Sequence, residues 1–513
     1  MSAVSAASGI ARLAFALVVA RAAGAAARPG PSDPPVAPGG DSAFAGSGIA
    51  DWSTPPPPTA EPAFTPPAAT QLRLSSGLTV VVIENHQLPL VALTLVVPGA
   101  GSSADPPERL GLAAFTADLL DEGAAELSAL QIAEAQEQLG AELDPYVDEE
   151  SAGISARTLR KTLGPTLELL GKVVRAPTFA AADVERVRGD RLTALRQRRD
   201  RPGDVARAML VGALYGARTP EGHPVAGFAS DVAACTAAEL REFYRTRWRL
   251  ERSTLVVAGD VTAEALRATL EATLGGAGAA ATAPAASPAP TRSKAPRGRR
   301  ARLLFSDRPG AVQSEIRVGL RGPRRDDPRF TAFEVARTAL GDGFTSRLNQ
   351  RLREQLGITY GVRAVMDWRR ASGPFSISAA LVSDATATGI AEILSIVRGL
   401  AARELPEEEL ARTKQNLIRA LPAEFETNLS TALAFGELVR LDLPLTWHAQ
   451  YLRELRAVTA KQVRAAAAGL LPARGMSVSV VGDLAKLARP LRALGLGRPR
   501  LHGPEGLAAT PAR

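Results

Sequence analysis

The strongest constraint on this chain is a repeat. The run Thr254 to Ala258 closes on Gly259-Asp260, and a second run, Val478 to Val481, closes on Gly482-Asp483, 223 positions later (483 − 260 = 223). The same shift carries Thr236, at the start of a helical pattern, onto Thr459. It carries the run TVVVI at 79 onto RLLFS at 302, and the turn residue Gly99 onto Gly322. A shared offset at both ends and a shared order of elements predict duplication of one domain, and a period this long gives two globular domains rather than a solenoid. A chain of 513 residues is long enough for both to bury a core.

Within the first half, residues 79–83 and 91–97 read as strands and 109–122 and 130–139 as helices. Short strands follow around 141–147 and 151–157, separated by an acidic turn. Helices near 161–174, 181–199 and 236–247, the strand at 254–258 and a helix over 262–274 complete the half. The expected fold is α+β: two homologous domains, each a mostly antiparallel sheet packed by helices, related by internal duplication. The boundaries fall at 71–275 and 301–495, with an Ala/Pro/Arg linker at 276–300 and a tail at 496–513.

Composition excludes several classes. Apolar residues at 46% and charged residues at 22% are globular usage. No stretch of eighteen uncharged apolar residues occurs, so the pattern is not that of a polytopic membrane protein. A single cysteine, Cys235, rules out an intrachain disulfide and a thiolate zinc cluster. The net charge of +8 comes mostly from arginine spread along helices among acids. The densest basic cluster, Arg292 to Arg302, lies in the Ala/Pro-rich linker without interleaved aromatics and reads as solvated chain, so no nucleic-acid partner is expected. Residues 1–28 combine Arg12, the apolar run Leu13 to Ala20 and an Ala-rich stretch to Ala27, the pattern of a secretory signal. The expectation is a periplasmic or otherwise exported protein, with a cytoplasmic one as the alternative. Residues 29–70 are a Pro/Ala-rich linker.

Four segments carry a family resemblance: SGLTVVVIENHQLPLVALTLVVPGAGS (76–102), GLAAFTADLLDEGA (111–124), GHPVAGFASDV (222–232) and SRLNQRLREQLGITYGV (346–362). Together they resemble the insulinase/pitrilysin family of zinc peptidases, in its compact bacterial and processing-peptidase-like branch, over roughly residues 71–495. Active members carry H-x-x-E-H on the first helix, where two histidines on one helical face bind zinc and the glutamate acts as base. Here the corresponding residues are Ala114, Phe115, Thr116, Ala117 and Asp118. The third ligand, a glutamate on a later helix, falls by alignment near Ala194, and no glutamate occurs between Glu185 and Glu221. The resemblance therefore implies a zinc-less member with no cofactor of its own. His86, His223, His448 and His502 have no ligand partner at helical spacing and read as loop or surface residues; Cys235 reads as a buried apolar residue.

The resemblance also implies an arginine and a tyrosine, seven positions apart, that reach a peptide's backbone from the second half. Arg353 and Tyr360 match (360 − 353 = 7). Read from spacing alone, Arg353 would pair with Glu354 or Asp367 and Tyr360 would be a core strand residue. With the resemblance, the expected function is the non-catalytic, peptide-binding subunit of a heterodimeric zinc metallopeptidase. The zinc and H-x-x-E-H would belong to a partner of the same family, the substrate would be an unfolded peptide lying along a sheet edge, and a homodimer is the other arrangement open. The alternative is a structural or assembly protein of the same fold with no role in peptide processing.

Overall fold

The computed structural model describes residues 63–276 and 302–508. The expected export segment 1–28, residues 29–62 of the first linker and residues 277–300 of the second lie outside them. The first half comprises strands β1 (Thr70–Arg73), β2 (Thr79–Glu84), β3 (Leu90–Pro98), β4 (Glu142–Val147), β5 (Ser151–Leu159) and β6 (Thr254–Gly259). Its helices are α1 (Leu112–Ala117), α2 (Ala129–Leu139), α3 (Leu163–Arg175), α4 (Ala181–Arg199), α5 (Pro202–Tyr215), α6 (Ala229–Ala234), α7 (Ala237–Arg247) and α8 (Ala263–Leu274). The second half comprises β7 (Leu303–Asp307), β8 (Gln313–Arg321), β9 (Val362–Met366), β10 (Pro374–Val382), β11 (Ser477–Gly482) and β12 (Arg500–Leu501). Its helices are α9 (Phe330–Gly341), α10 (Thr386–Ala402), α11 (Glu407–Ala420), α12 (Asn428–Arg440), α13 (Trp447–Ala457), α14 (Ala460–Leu470) and α15 (Leu484–Arg492), with a π-helical segment at Asn349–Gln355.

The repeat read from sequence is a structural repeat. Each half folds around a six-stranded sheet, ordered β1-β2-β6-β3-β5-β4 and β9-β10-β8-β11-β7-β12. Strands β3, β5 and β6 map onto β8, β10 and β11 at the same 223-residue shift, and the pairing is shared too: Ala92 lies opposite Ala258, and Glu315 opposite Val481. Each sheet is antiparallel except where its closing strand meets its opening one, β2 with β6 and β7 with β11, and where β12 adds parallel to β7. The equivalent helices α7 and α14 begin with the same device. Thr236 and Thr459 accept from the backbone N–H three residues on, and Glu239 and Gln462 reach back to the cap residue's own N–H. That reciprocal box satisfies donors that the first turn would otherwise leave bare.

One face of each sheet is covered by its own helices. Leu167, Leu170 and Val173 of α3 and Leu266 and Leu270 of α8 pack on the first sheet, and Phe333 of α9 and Ile390, Ile393 and Val397 of α10 pack on the second. The other face is covered by the opposite half. Helix α5 lies on the second sheet, where Val205, Ala206, Met209 and Ala213 meet Leu304 and Val481. Helix α12 lies on the first sheet, where Ala432, Phe435 and Leu438 meet Val81, Ile83, Ala92, Val256 and Ala258. Gly436 allows this approach, since a Cβ there would stand 2.9 Å from Thr94 Cγ2. Polar bonds fix the exchange: Ser479 Oγ donates to Ala206 O at 2.7 Å, and Asn428 Nδ2 to Leu90 O at 2.9 Å. The sequence-based reading assigned nothing to 202–215, so this exchange is new information.

The two halves also meet through their equivalent hairpin turns. Arg369 pairs with Glu149 (2.9 Å) and Asp367 (2.7 Å), Glu150 accepts from the backbone N–H of Arg370 (2.8 Å), and Arg440 of α12 lies 3.4 Å from Glu150. Burial raises the pKa of both Glu149 and Glu150, and the surrounding guanidinium groups oppose that rise. Phe435 is fully buried in the exchanged layer. Phe435→Ala is expected to lower the unfolding free energy by about 3–5 kcal/mol in a denaturant titration, through lost burial and an unfilled cavity.

Candidate functional site

Helix α1 is the element on which a zinc-binding pair would stand. It is shorter than the expected 109–122, because the backbone at Gly111 is left-handed (φ 100°) and the residues after Ala117 continue as tight turns. Its start is held by Asp105, buried, which accepts from Gly111 N (2.6 Å) and Ala113 N (2.7 Å). The loop 222–232 closes over this end so tightly that a Cβ at Gly227 (φ 73°) would stand 2.0 Å from Leu110 O. Every residue from Leu112 to Ala117 is buried, so Ala114, Phe115, Thr116 and Ala117 are core side chains. Asp118, at the C-terminal end, is the one ionisable group in the motif positions.

The helix facing α1 supplies a cation where a third zinc ligand would be needed. Arg191 is 8% exposed; its Nη1 donates to Asp118 Oδ2 (2.5 Å) and its Nη2 to Ala226 O (3.1 Å). The guanidinium groups of Arg188 and Arg191 lie 5.3 and 5.6 Å from the centre of the Phe115 ring. Ala194, the expected counterpart of the third ligand, is exposed on α4, one turn beyond Arg191. The buried stripe of that helix is Val184, Val187, Arg191 and Leu195. Arginines set at i, i+3 in an otherwise apolar stripe were the available signal for Arg188 and Arg191.

This donor set does not fit zinc. A catalytic zinc needs about three protein ligands, and the motif positions offer one carboxylate already engaged by a guanidinium. Among the described residues, no group of three or more His, Cys, Asp or Glu side chains is placed to hold a metal ion. The acids just past α1 are crowded instead. Burial, together with Glu122, Asp118 and Asp144, pushes Asp121 up to about 7, and burial also raises Glu122 and Asp144.

The second half presents Arg353 and Tyr360 differently from a core pair. Tyr360 is 89% exposed, two residues before β9, so it is not the buried strand residue that spacing alone suggested. Arg353 stacks over the exposed ring of Phe344, with its Cζ 3.9 Å from the centroid, and lies 3.4 Å from Glu354. Asp367, its other expected partner, is taken up by Arg369 and Arg207.

His223 lies in a loop, as expected, but is buried, and His448 is neither loop nor surface. His223 is buried, with Nε2 2.9 Å from Ser102 O and Nδ1 2.9 Å from Pro224 O; its ring bonds to the backbone and so tolerates the interior. His448 is buried among Phe425, Phe435 and Trp447, and burial lowers it to about 4. His86 is exposed and His502 is half-buried. Cys235 is 2% exposed and burial pushes its thiol up to about 11, so it is a packed apolar side chain and a poor nucleophile.

Comparison with known proteins follows the same division of the chain. A family model described as insulinase, peptidase family M16, matches residues 79–226, and one described as the peptidase M16 inactive domain matches 234–417. An uncharacterised zinc protease of Mycobacterium tuberculosis is 31% identical over 439 residues, covering 83% of this chain and 97% of that protein. The non-peptidase homolog YmxG of Helicobacter pylori is 24% identical over 387 residues, covering 75% and 87%. The crystal structure of a peptidase M16 inactive domain from Pseudomonas fluorescens superposes with a TM-score of 0.73 at 26% identity, covering 81% of this chain and 98% of that one. A protease structure from Helicobacter pylori, at 16% identity and a TM-score of 0.74 over 81% and 99% of the two chains, shows the fold.

Two outcomes follow from the site's charge. The triple variant Ala114→His, Ala117→Glu, Asp118→His restores the motif letters but leaves Arg191 in place and adds no third ligand. Metal analysis after dialysis is expected to find zinc well below one per chain. Asp121 titrates near 7 folded, against about 3.9 unfolded, so between those values the folded chain keeps a proton that the unfolded chain has shed, and stability falls as pH rises. Asp121→Asn is therefore expected to match the parent at pH 4 and exceed it by on the order of 1 kcal/mol at pH 8, in parallel urea titrations.

Proposed function

The chain belongs to the insulinase family of peptidases, M16, and we propose that it is the non-catalytic, peptide-binding subunit of a heterodimeric zinc metallopeptidase. One observation carries this reading: the motif helix has become hydrophobic core while Tyr360 stands 89% exposed and Arg353 lies over the exposed ring of Phe344. A large phenol left in water does little for folding, so its position points to a contact made by something outside the chain. The relative named as a non-peptidase homolog supports a fold that persists after the chemistry is lost.

The residues of this chain would bind and orient. The Arg353 guanidinium offers fixed N–H donors to a peptide carbonyl, and the Tyr360 hydroxyl can donate to the oxygen that gains charge as water attacks. Zinc, held by the H-x-x-E-H helix of a catalytic subunit, would activate that water and polarise the scissile carbonyl. The substrate is an unfolded peptide. We place the assembly outside the cytoplasm on the strength of residues 1–28; a mature chain beginning near residue 28 in an extracytoplasmic fraction would support this, and a full-length cytoplasmic chain would count against it.

The test is co-purification from the native source with identification of any bound chain carrying H-x-x-E-H. In that complex, Arg353→Ala with Tyr360→Ala is expected to lower kcat/KM for an unstructured peptide by about 10–100-fold, while gel filtration still shows both subunits together. Unchanged turnover would instead favour the structural or assembly role.

A further inference from the structure

The outermost strands β4 and β9 flank the two regions of interest: α1 packs beside β4, and Tyr360 leads into β9. An outer strand normally invites another strand, because alternate residues point their N–H and C=O groups away from the sheet. On β4 the outward set is Leu143, Pro145 and Val147, since the Leu143 N–H donates to Gln136 Oε1 of α2 at 2.7 Å rather than to β5. Pro145 falls in the same phase and has no N–H to offer. Of the three outward positions, one has its donor used and one has no donor, which leaves the Val147 N–H.

On β9 the closure is made by buried side chains. The amide of Asn349 takes both groups of Val362: Val362 N donates to its Oδ1 at 2.9 Å, and its Nδ2 donates to Val362 O at 2.9 Å. It thus occupies the place of a neighbouring strand's peptide group. Arg337 Nη1 donates to Ala364 O at 2.9 Å. Neither plug is loose. Asn349 is 6% exposed and also donates to Gly343 O (3.1 Å) and Ser346 Oγ (3.0 Å), and Arg337 is held by Glu334 and Asp342, each at 2.9 Å. A strand arriving at β9 would have to displace a buried amide and a buried guanidinium and leave their partners unbonded.

We infer that the chain's own side chains close both of these edges to strand addition. A peptide held in the complex proposed above, on which the second half of this inference rests, then meets this subunit through side-chain groups such as Arg353, Tyr360 and Phe344. Its backbone ladder then forms along neither β4 nor β9, so the sheet edge along which the peptide is expected to lie is neither of these two. It gives Gln136, Pro145, Asn349 and Arg337 the role of positioning residues that set how substrate is held.

Amide hydrogen exchange on the full chain tests this. Leu143 and Val362 are expected to be protected in the free protein. Gln136→Ala is expected to speed exchange at Leu143 by on the order of 10-fold, the loss of one hydrogen bond. Gln136→Glu, which keeps the acceptor, should preserve the protection. Fast exchange at Leu143 and Val362 in the parent protein would overturn the closure. Adding an unstructured peptide at saturating concentration, with binding followed by fluorescence anisotropy, should leave exchange at Val147 and Ala364 unchanged. New protection there would show a ladder on this chain and sink the inference. Absence of peptide binding, with Leu143 and Val362 still protected, would count against the proposed function and leave the closed edges standing.

Discussion

The structure depends on a reciprocal loan of helices. A sheet with two apolar faces must cover both, and here each half supplies helices for only one face of its own sheet. Helix α5 leaves the first half to cover Leu304 and Val481, and α12 leaves the second to cover Val81, Ala92 and Val256. Alone, the first half would expose Val81, Ile83, Ala92, Val256 and Ala258, and the second would expose Leu304 and Val481 among polar residues such as Ser479 and Arg321 that bond to α5. The hydrophobic effect therefore binds the halves into one unit, and the linker between them has only to permit the exchange. The contact between Glu149, Glu150, Arg369 and Arg440 follows from that arrangement, because the exchange brings the two equivalent hairpin turns together.

Within that frame the first half has spent its motif helix on packing. Phe115 fills the interior, Arg188 and Arg191 lie against its ring, and Arg191 engages Asp118. An imidazole pair would need neutral nitrogens directed at a common point and a carboxylate from the facing helix. A guanidinium in that place reverses the sign of the charge. The helix still performs its architectural task, capped by Asp105 and closed by the 222–232 loop.

The second half shows the opposite allocation. It exposes Phe344 and Tyr360, with Arg353 stacked over the Phe344 ring, while Val362 and the Ala364 carbonyl of the adjacent edge strand are occupied by Asn349 and Arg337. Side chains are free and main chain is not. A surface of that kind offers side-chain contacts rather than a strand edge. It is also protected against pairing with its own copies.

Much of this was legible in the chain itself. The 223-residue offset holds through β3, β5, β6 and the Thr236 and Thr459 caps, because strand register and helix capping are local chemistry that a duplication copies letter by letter. The loss of the motif at Ala114, Ala117 and Asp118 was equally plain. What the letters could not convey was partnership at a distance. An apolar stripe on α5 or α12 says that a face will be buried, but not against which sheet, and α5 itself went unread. The letters gave no sign that Arg191 would engage Asp118, because that contact depends on how α4 packs against α1. His223 was legible as a loop residue but not as a buried one, and His448 gave no sign of the aromatic rings that surround it. Local pattern determined the two domains and the vanished ligand set, whereas the exchanged helices, the Arg191 substitution and the closed edges were decided by contacts between residues far apart in sequence.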